Sequence, residues 1–85
     1  MSPYELVFGE AAAQVFVEAS RSDQRRLGII LDELKTAPFR RGDLQETDAA
    51  GRVHEIFVVG DWIVTCWADH AAKEMRLVRL ETVEE

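Results

Sequence analysis

The sequence predicts a two-layer α+β domain, in which two helices pack on one face of an antiparallel five-stranded sheet in the order β-α-α-β-β-β-β. Three observations carry the prediction. Residues 10–34 repeat apolar side chains at helical spacing in two blocks, separated by Ser20-Arg21-Ser22. Residues 53–81 switch to apolar runs broken by short polar turns, the rhythm of paired strands. At 85 residues the chain holds one domain, 1–85, with a single core. The helices therefore have only the sheet to pack on.

Each element has its own local reason. YELVF (4–8) is β-prone and ends at Gly9. From Glu10, whose charge suits the helix dipole, Ala12, Val15, Phe16 and Ala19 form an apolar stripe. Ser20 or Ser22 offers the next N-cap, and Asp23 stands three residues after Ser20 as in a capping box. Leu27, Ile30, Leu31 and Leu34 repeat the stripe until Pro38 stops the helix. Residues 40–52 are polar, with an edge strand expected over Leu44–Thr47 and a turn over Asp48–Gly51. VHEIFVV (53–59) and WIVTCWA (62–68) flank Gly60-Asp61, which suits a two-residue type II′ hairpin loop. MRLVRLE (75–81) returns after the polar turn DHAAKE.

Charge narrows the function classes. The net charge is −6; residues 1–42 carry six basic and six acidic side chains, and residues 43–85 four basic and ten acidic. A nucleic-acid site would have to be a local basic patch on an acidic molecule, because counterion release needs clustered cations. The lone cysteine, Cys66, falls in an apolar strand and reads as a small buried hydrophobe. The chain begins without a basic, apolar leader and has no apolar run of membrane-spanning length. The expectation is a soluble, cytoplasmic protein with no membrane association.

The hairpin register sorts the strands into two faces. Val53, Glu55, Phe57, Val59, Trp62, Val64, Cys66 and Ala68 share one face, assigned to the core, with Glu55 in need of a partner or a marginal position. The other face carries Arg52, His54, Ile56, Val58, Ile63, Thr65, Trp67 and Asp69, with His54 opposite Trp67 and Arg52 opposite Asp69. An imidazole, an indole, a guanidinium and a carboxylate on one open face make a ligand platform, or equally a solvated sheet with a weak cross-strand ion pair. The last strand adds either Arg76, opposite Trp67, or Arg79, opposite Thr65. A regular strand sends residues three apart to opposite sides.

Other clusters carry less. DHAAKE (69–74) has too few ligands for a metal centre and reads as a turn. Arg21, Arg25 and Arg26 read as a solvated helix face, with nucleic acid or a partner's acidic groups as the alternative. Arg40-Arg41 stays open in the same way. No metal or cofactor is expected.

A strand, a helical hairpin ending at a proline, a meander reading GRVHEIFVVGDWIV (51–64) and a closing EMRLVRLE (74–81) together resemble the RelE/ParE superfamily. These are the toxin halves of bacterial toxin–antitoxin modules. The resemblance covers nearly the whole chain and implies a sheet in the order 1-5-4-3-2. It also implies an antitoxin partner, and action either on translation, by mRNA cleavage at the ribosome, or on DNA gyrase. On this resemblance Arg52, His54 and Arg79 are the candidate catalytic residues. Trp67, Arg76 and Thr65 form the nucleic-acid or ligand platform. The sequence departs from the nuclease pattern at two points: Ile63 stands where an arginine follows the aromatic Trp62, and the chain ends ETVEE (81–85) where basic or catalytic residues are expected. The alternative is a non-toxic protein-binding module that keeps the fold. Two sheet edges also invite strand addition or homodimerisation.

Overall fold

Ser20 accepts a hydrogen bond from the Asp23 backbone N–H at 3.1 Å, so the first serine, not Ser22, caps the second helix. In the computed structural model, which describes residues 4–83, the elements follow the predicted order. They are β1 (Glu5–Phe8), α1 (Glu10–Glu18), α2 (Arg21–Thr36), β2 (Leu44–Thr47), β3 (Val53–Val59), β4 (Trp62–Asp69) and β5 (Glu74–Thr82). Glu84 and Glu85, the end of the acidic ETVEE stretch, lie outside the described residues. Among the described residues no helix is long and apolar enough to cross a membrane.

The two helical stripes meet one face of the sheet. Ala12, Leu27, Leu31 and Leu34 are buried against Phe57, Trp62, Val64, Cys66, Met75, Leu77 and Leu80, with Val15, Phe16, Ala19 and Ile30 packed around them. The core face predicted from the hairpin holds at its centre and fails at its ends. Val53 and Val59 are 50% and 39% exposed. The helices lie over β1 and β5, so the two ends of β3 fall outside their cover. Glu55 finds the partner it needed: its Oε1 accepts from the Gly42 N–H at 2.7 Å and from the Gln45 side-chain amide at 2.9 Å. Burial pushes the Glu55 carboxyl up. Those two donors and the charge of Arg41 outweigh it and hold the group below its ordinary value.

The strand order is β1-β5-β4-β3-β2. The sheet is mixed and not wholly antiparallel: β1 pairs with β5 in parallel, from Glu5↔Glu74 to Phe8↔Leu77. Two helices and four meander strands each reverse the chain, and an even number of reversals brings β5 back along the direction of β1. The β3–β4 hairpin has the predicted register, Val59↔Trp62 and Phe57↔Val64. Gly60 takes φ 59° and Asp61 does not follow it into positive φ, as a type II′ turn requires.

One irregularity shapes the site. The β4–β5 register passes from Thr65↔Arg79 to Cys66↔Leu77, leaving Val78 unmatched in a β-bulge. The extra residue reverses the side-chain alternation of β5. Arg76 lies opposite Trp67 and Arg79 opposite Thr65, so both arginines reach the open face, and the expected choice between them does not arise.

Cys66 is 1% exposed, and burial, helped by the charge of Glu55, pushes its thiol up to about 12. Its reaction with iodoacetamide at pH 8 is expected to run at least about 10³ slower in the folded protein than after denaturation, because the thiolate is the nucleophile. Timed alkylation followed by mass spectrometry checks this. Labelling of the folded protein at the denatured rate would contradict the burial.

Candidate functional site

The open face is built from β2, β3, β4 and β5, and its centre is a row of charges. Asp48 opens the β2–β3 turn as an Asx turn, its Oδ1 accepting from the backbone N–H groups of Ala50 and Arg52, both at 2.9 Å. This fixes the carboxylate so that Oδ2 faces His54 Nε2 at 3.1 Å and Arg52 Nη1 at 3.9 Å. The Arg52 backbone N–H, the Ala50 N–H and the nearby charges of His54 and Arg52 outweigh desolvation and hold Asp48 below the usual carboxylate range. An ionised carboxylate only accepts, so His54 Nε2 carries the hydrogen and Nδ1 is the nitrogen left for chemistry.

His54 is nevertheless poorly placed for a proton-transfer step, being 8% exposed. Thr65, assigned to the ligand platform, is 1% exposed. The cause spans the sheet. Arg79 on β5 donates from Nη2 to Glu46 Oε2 on β2 at 2.8 Å, and a second carboxylate, Glu81, lies 3.5 Å from its Nε. The ends of this bridge stand beside Thr65 and His54, through the pairs Thr65↔Arg79 and Glu46↔His54. The bridge forms an arch over the two buried side chains.

The indole end is closed in the same manner. The Arg52 guanidinium lies 3.8 Å from the centre of a Trp67 ring and that of Arg76 5.7 Å. Arg76 Nη2 bonds Glu74 at 2.7 Å, while its buried Nε has no hydrogen-bond partner and lies 3.9 Å from Asp69. A base stacking on Trp67 would have to displace a guanidinium. The expected Arg52–Asp69 pair is replaced by Arg52–Asp48 and Arg76–Asp69, because the β3–β4 ladder stops at Glu55↔Cys66 and the strands separate beyond it.

All six predicted site residues, Arg52, His54, Thr65, Trp67, Arg76 and Arg79, thus come to one face. Sequence reasoning missed their partners Glu46, Asp48, Glu74 and Glu81. Each guanidinium of the face meets at least one carboxylate. Phosphate could bind there only by displacing a carboxylate already in place. Beside the charged row, Leu44, Ile56, Val58 and Ile63 give the hairpin end of the face an apolar surface, with Leu44 60% exposed. Among the described residues no three His, Cys, Asp or Glu side chains gather as metal ligands.

No family model matches the chain, and no curated protein sequence matches it. Solved structures do match. The isolated RelE toxin of E. coli superposes with a TM-score of 0.80 at 13% identity, over 96% of this chain and 86% of that one. In the RelE–RelB complex of the archaeon Pyrococcus horikoshii the matched chain gives 0.76 at 14% identity, over 99% of both chains. In the RelBE2 toxin–antitoxin complex of Mycobacterium tuberculosis it gives 0.75 at 16%, over 95% of this chain and 99% of that one. At such identities likeness speaks for the backbone and not for the chemistry. From β1 to β5 this chain has the fold of the RelE toxins.

Proposed function

We propose that this chain is the toxin-like half of a toxin–antitoxin module, held inactive by an antitoxin protein. The observation that supports it is the match over nearly the full chain to RelE toxins, two of them in complexes with an antitoxin. Of the two modes of action implied by the resemblance, mRNA cleavage at the ribosome and blockade of DNA gyrase, the open face favours one that needs no bare phosphate site. Its arginines are paired, its histidine is covered, and the residue after Trp62 is Ile63. A base must come within hydrogen-bond reach of the proton it takes, and His54 does so only if the arch above it opens.

A second reading follows from the same pairing: a protein-binding module that keeps the fold without toxicity. Tightly induced expression in a bacterial culture separates the two. Growth arrest relieved by co-expression of the adjacent gene product is the expected result, and normal growth at verified soluble expression would favour the inert module. His54→Ala is expected to leave the arrest intact. If it instead abolished both arrest and ribosome-dependent RNA cleavage, His54 would return to a catalytic role.

A further inference from the structure

The end of the sheet where β3 and β4 separate holds a cleft that the open-face site does not use. It lies on the helix side, between the loop after α2 and the turn joining β4 to β5, and encloses about 190 Å³. Val53, Ala68 and Met75 form its apolar wall, and Phe39, Arg40 and His70 its rim. Phe39 is 76% exposed yet held in place, stacked on His70 with ring centres 4.6 Å apart and planes 8° from parallel. His70 is fixed in turn by the Tyr4 hydroxyl, 2.8 Å from its Nδ1. A large apolar ring kept rigid in water has already lost the freedom that binding would otherwise cost it.

The charges around the cleft differ in kind from those of the open face. Arg40 lies over the Phe57 ring, 5.5 Å from its centre, and neither Arg40 nor Arg41 has a salt-bridge partner among the described residues. The local carboxylates are engaged elsewhere: Glu55 with the Gly42 N–H and Gln45, and Asp69 and Glu74 with Arg76 on the opposite face. On an acidic molecule this rim keeps uncompensated positive charge. The cleft is smaller than the ~300–1,000 Å³ of cofactor and small-ligand pockets, and suits one side chain.

We infer that this cleft is a docking site for an acidic peptide segment of a protein partner, which seats one apolar side chain against Phe39, Val53, Ala68 and Met75 and places carboxylates on Arg40 and Arg41. Buried apolar anchors with a charged rim are the usual anatomy of such contacts. The inference does not depend on the chain being a toxin.

The probe is a short capped peptide with a single leucine between aspartates and glutamates, titrated into ¹⁵N-labelled protein. Shifts are expected at the amides of Phe39, Val53, Ala68 and His70. Phe39→Ala, at an exposed position that spares the core, should weaken binding by about tenfold or more. Arg40→Glu combined with Arg41→Glu should abolish it and admit the same peptide with lysines in place of its acids. Unchanged melting temperatures of both variants would attribute the losses to the cleft. Four results would overturn the inference: no shifts at millimolar peptide, shifts confined to the open face, equal binding of the lysine peptide by the unaltered protein, or stronger binding of uridine monophosphate at the same amides.

Discussion

Replacing Glu46, Glu74 and Glu81 together by glutamine is expected to raise the affinity of the protein for a short single-stranded RNA by about 10² at low salt. The reason lies in what the three carboxylates hold. Glu46 and Glu81 flank Arg79, and Glu74 bonds Arg76. Glutamine keeps the size of each side chain and removes its charge, so two guanidiniums become free to meet phosphate and three repelling charges leave the face. The stability cost should be small. Arg79 and Glu46 are about half exposed, and such a surface ion pair is worth roughly a few tenths of a kcal/mol.

Salt dependence separates this explanation from a general gain in stickiness. Each added phosphate contact steepens the fall of log K with log salt by about 0.7 for a single strand. The triple variant should therefore show a slope steeper by about 1.4 than the parent protein, measured by fluorescence anisotropy across a salt series. Adding Arg79→Ala should remove about half of the increment. An unchanged slope would mean that the arginines do not meet phosphate even when released, and the open face would lose its claim to nucleic acid. A gain with the expected slope would show that the RelE-like platform is present and masked by its own acids. Uncovering His54 by the loss of the arch then makes RNA cleavage by the variant a direct second readout.

That masking explains why the sequence led to the site residues but not to their state. Hairpin register alone brought Arg52, His54, Thr65 and Trp67 to one face, because a strand alternates strictly and Gly60-Asp61 pins the pairing. The same rule failed on β5, where it admitted only one of Arg76 and Arg79. A signal was present: Met75, Leu77 and Leu80 all read as core residues, and the three-residue step from Leu77 to Leu80 breaks the two-residue period, as a bulge at Val78 does. Asp48 was legible as a turn residue, but its second oxygen finds His54 only once the Asx turn has fixed the first. Glu46 was hidden for a different reason. It meets Arg79 across two intervening strands, a contact set by the curvature of the whole sheet and by no local pattern. The stack of Phe39 on His70 joins a loop to a turn far away in sequence, and nothing in either segment announces it.

Gly42→Ala should be among the most destabilising single changes in this chain, costing about 3 kcal/mol and lowering the melting temperature by roughly 10–20 °C. The loop before β2 lies flat against β3, with Gly42 donating to Glu55 and Asp43 accepting from the Val58 N–H at 2.8 Å. A Cβ on Gly42 would stand 2.6 Å from the Ile56 carbonyl oxygen and 2.7 Å from its nitrogen. Both are backbone atoms, and Ile56 is fixed by its pairing with Leu44 on one side and Thr65 on the other. No rotamer change can relieve the collision, so the strain falls on the β2–β3 ladder. Gly28→Ala is the matched control. A Cβ there meets nothing within 4 Å, and in the middle of α2 alanine should stabilise by up to about 1 kcal/mol. Thermal melts of the two variants should therefore move in opposite directions. If Gly42→Ala melted like the parent protein, amide exchange at Leu44–Thr47 would show whether β2 had peeled away to make room. Loss of protection there would also displace Glu46, free Arg79 and open the arch, producing the RNA-binding behaviour of the charge variant by a purely steric route. Full protection with an unchanged melt would mean that the loop does not lie against β3 as described.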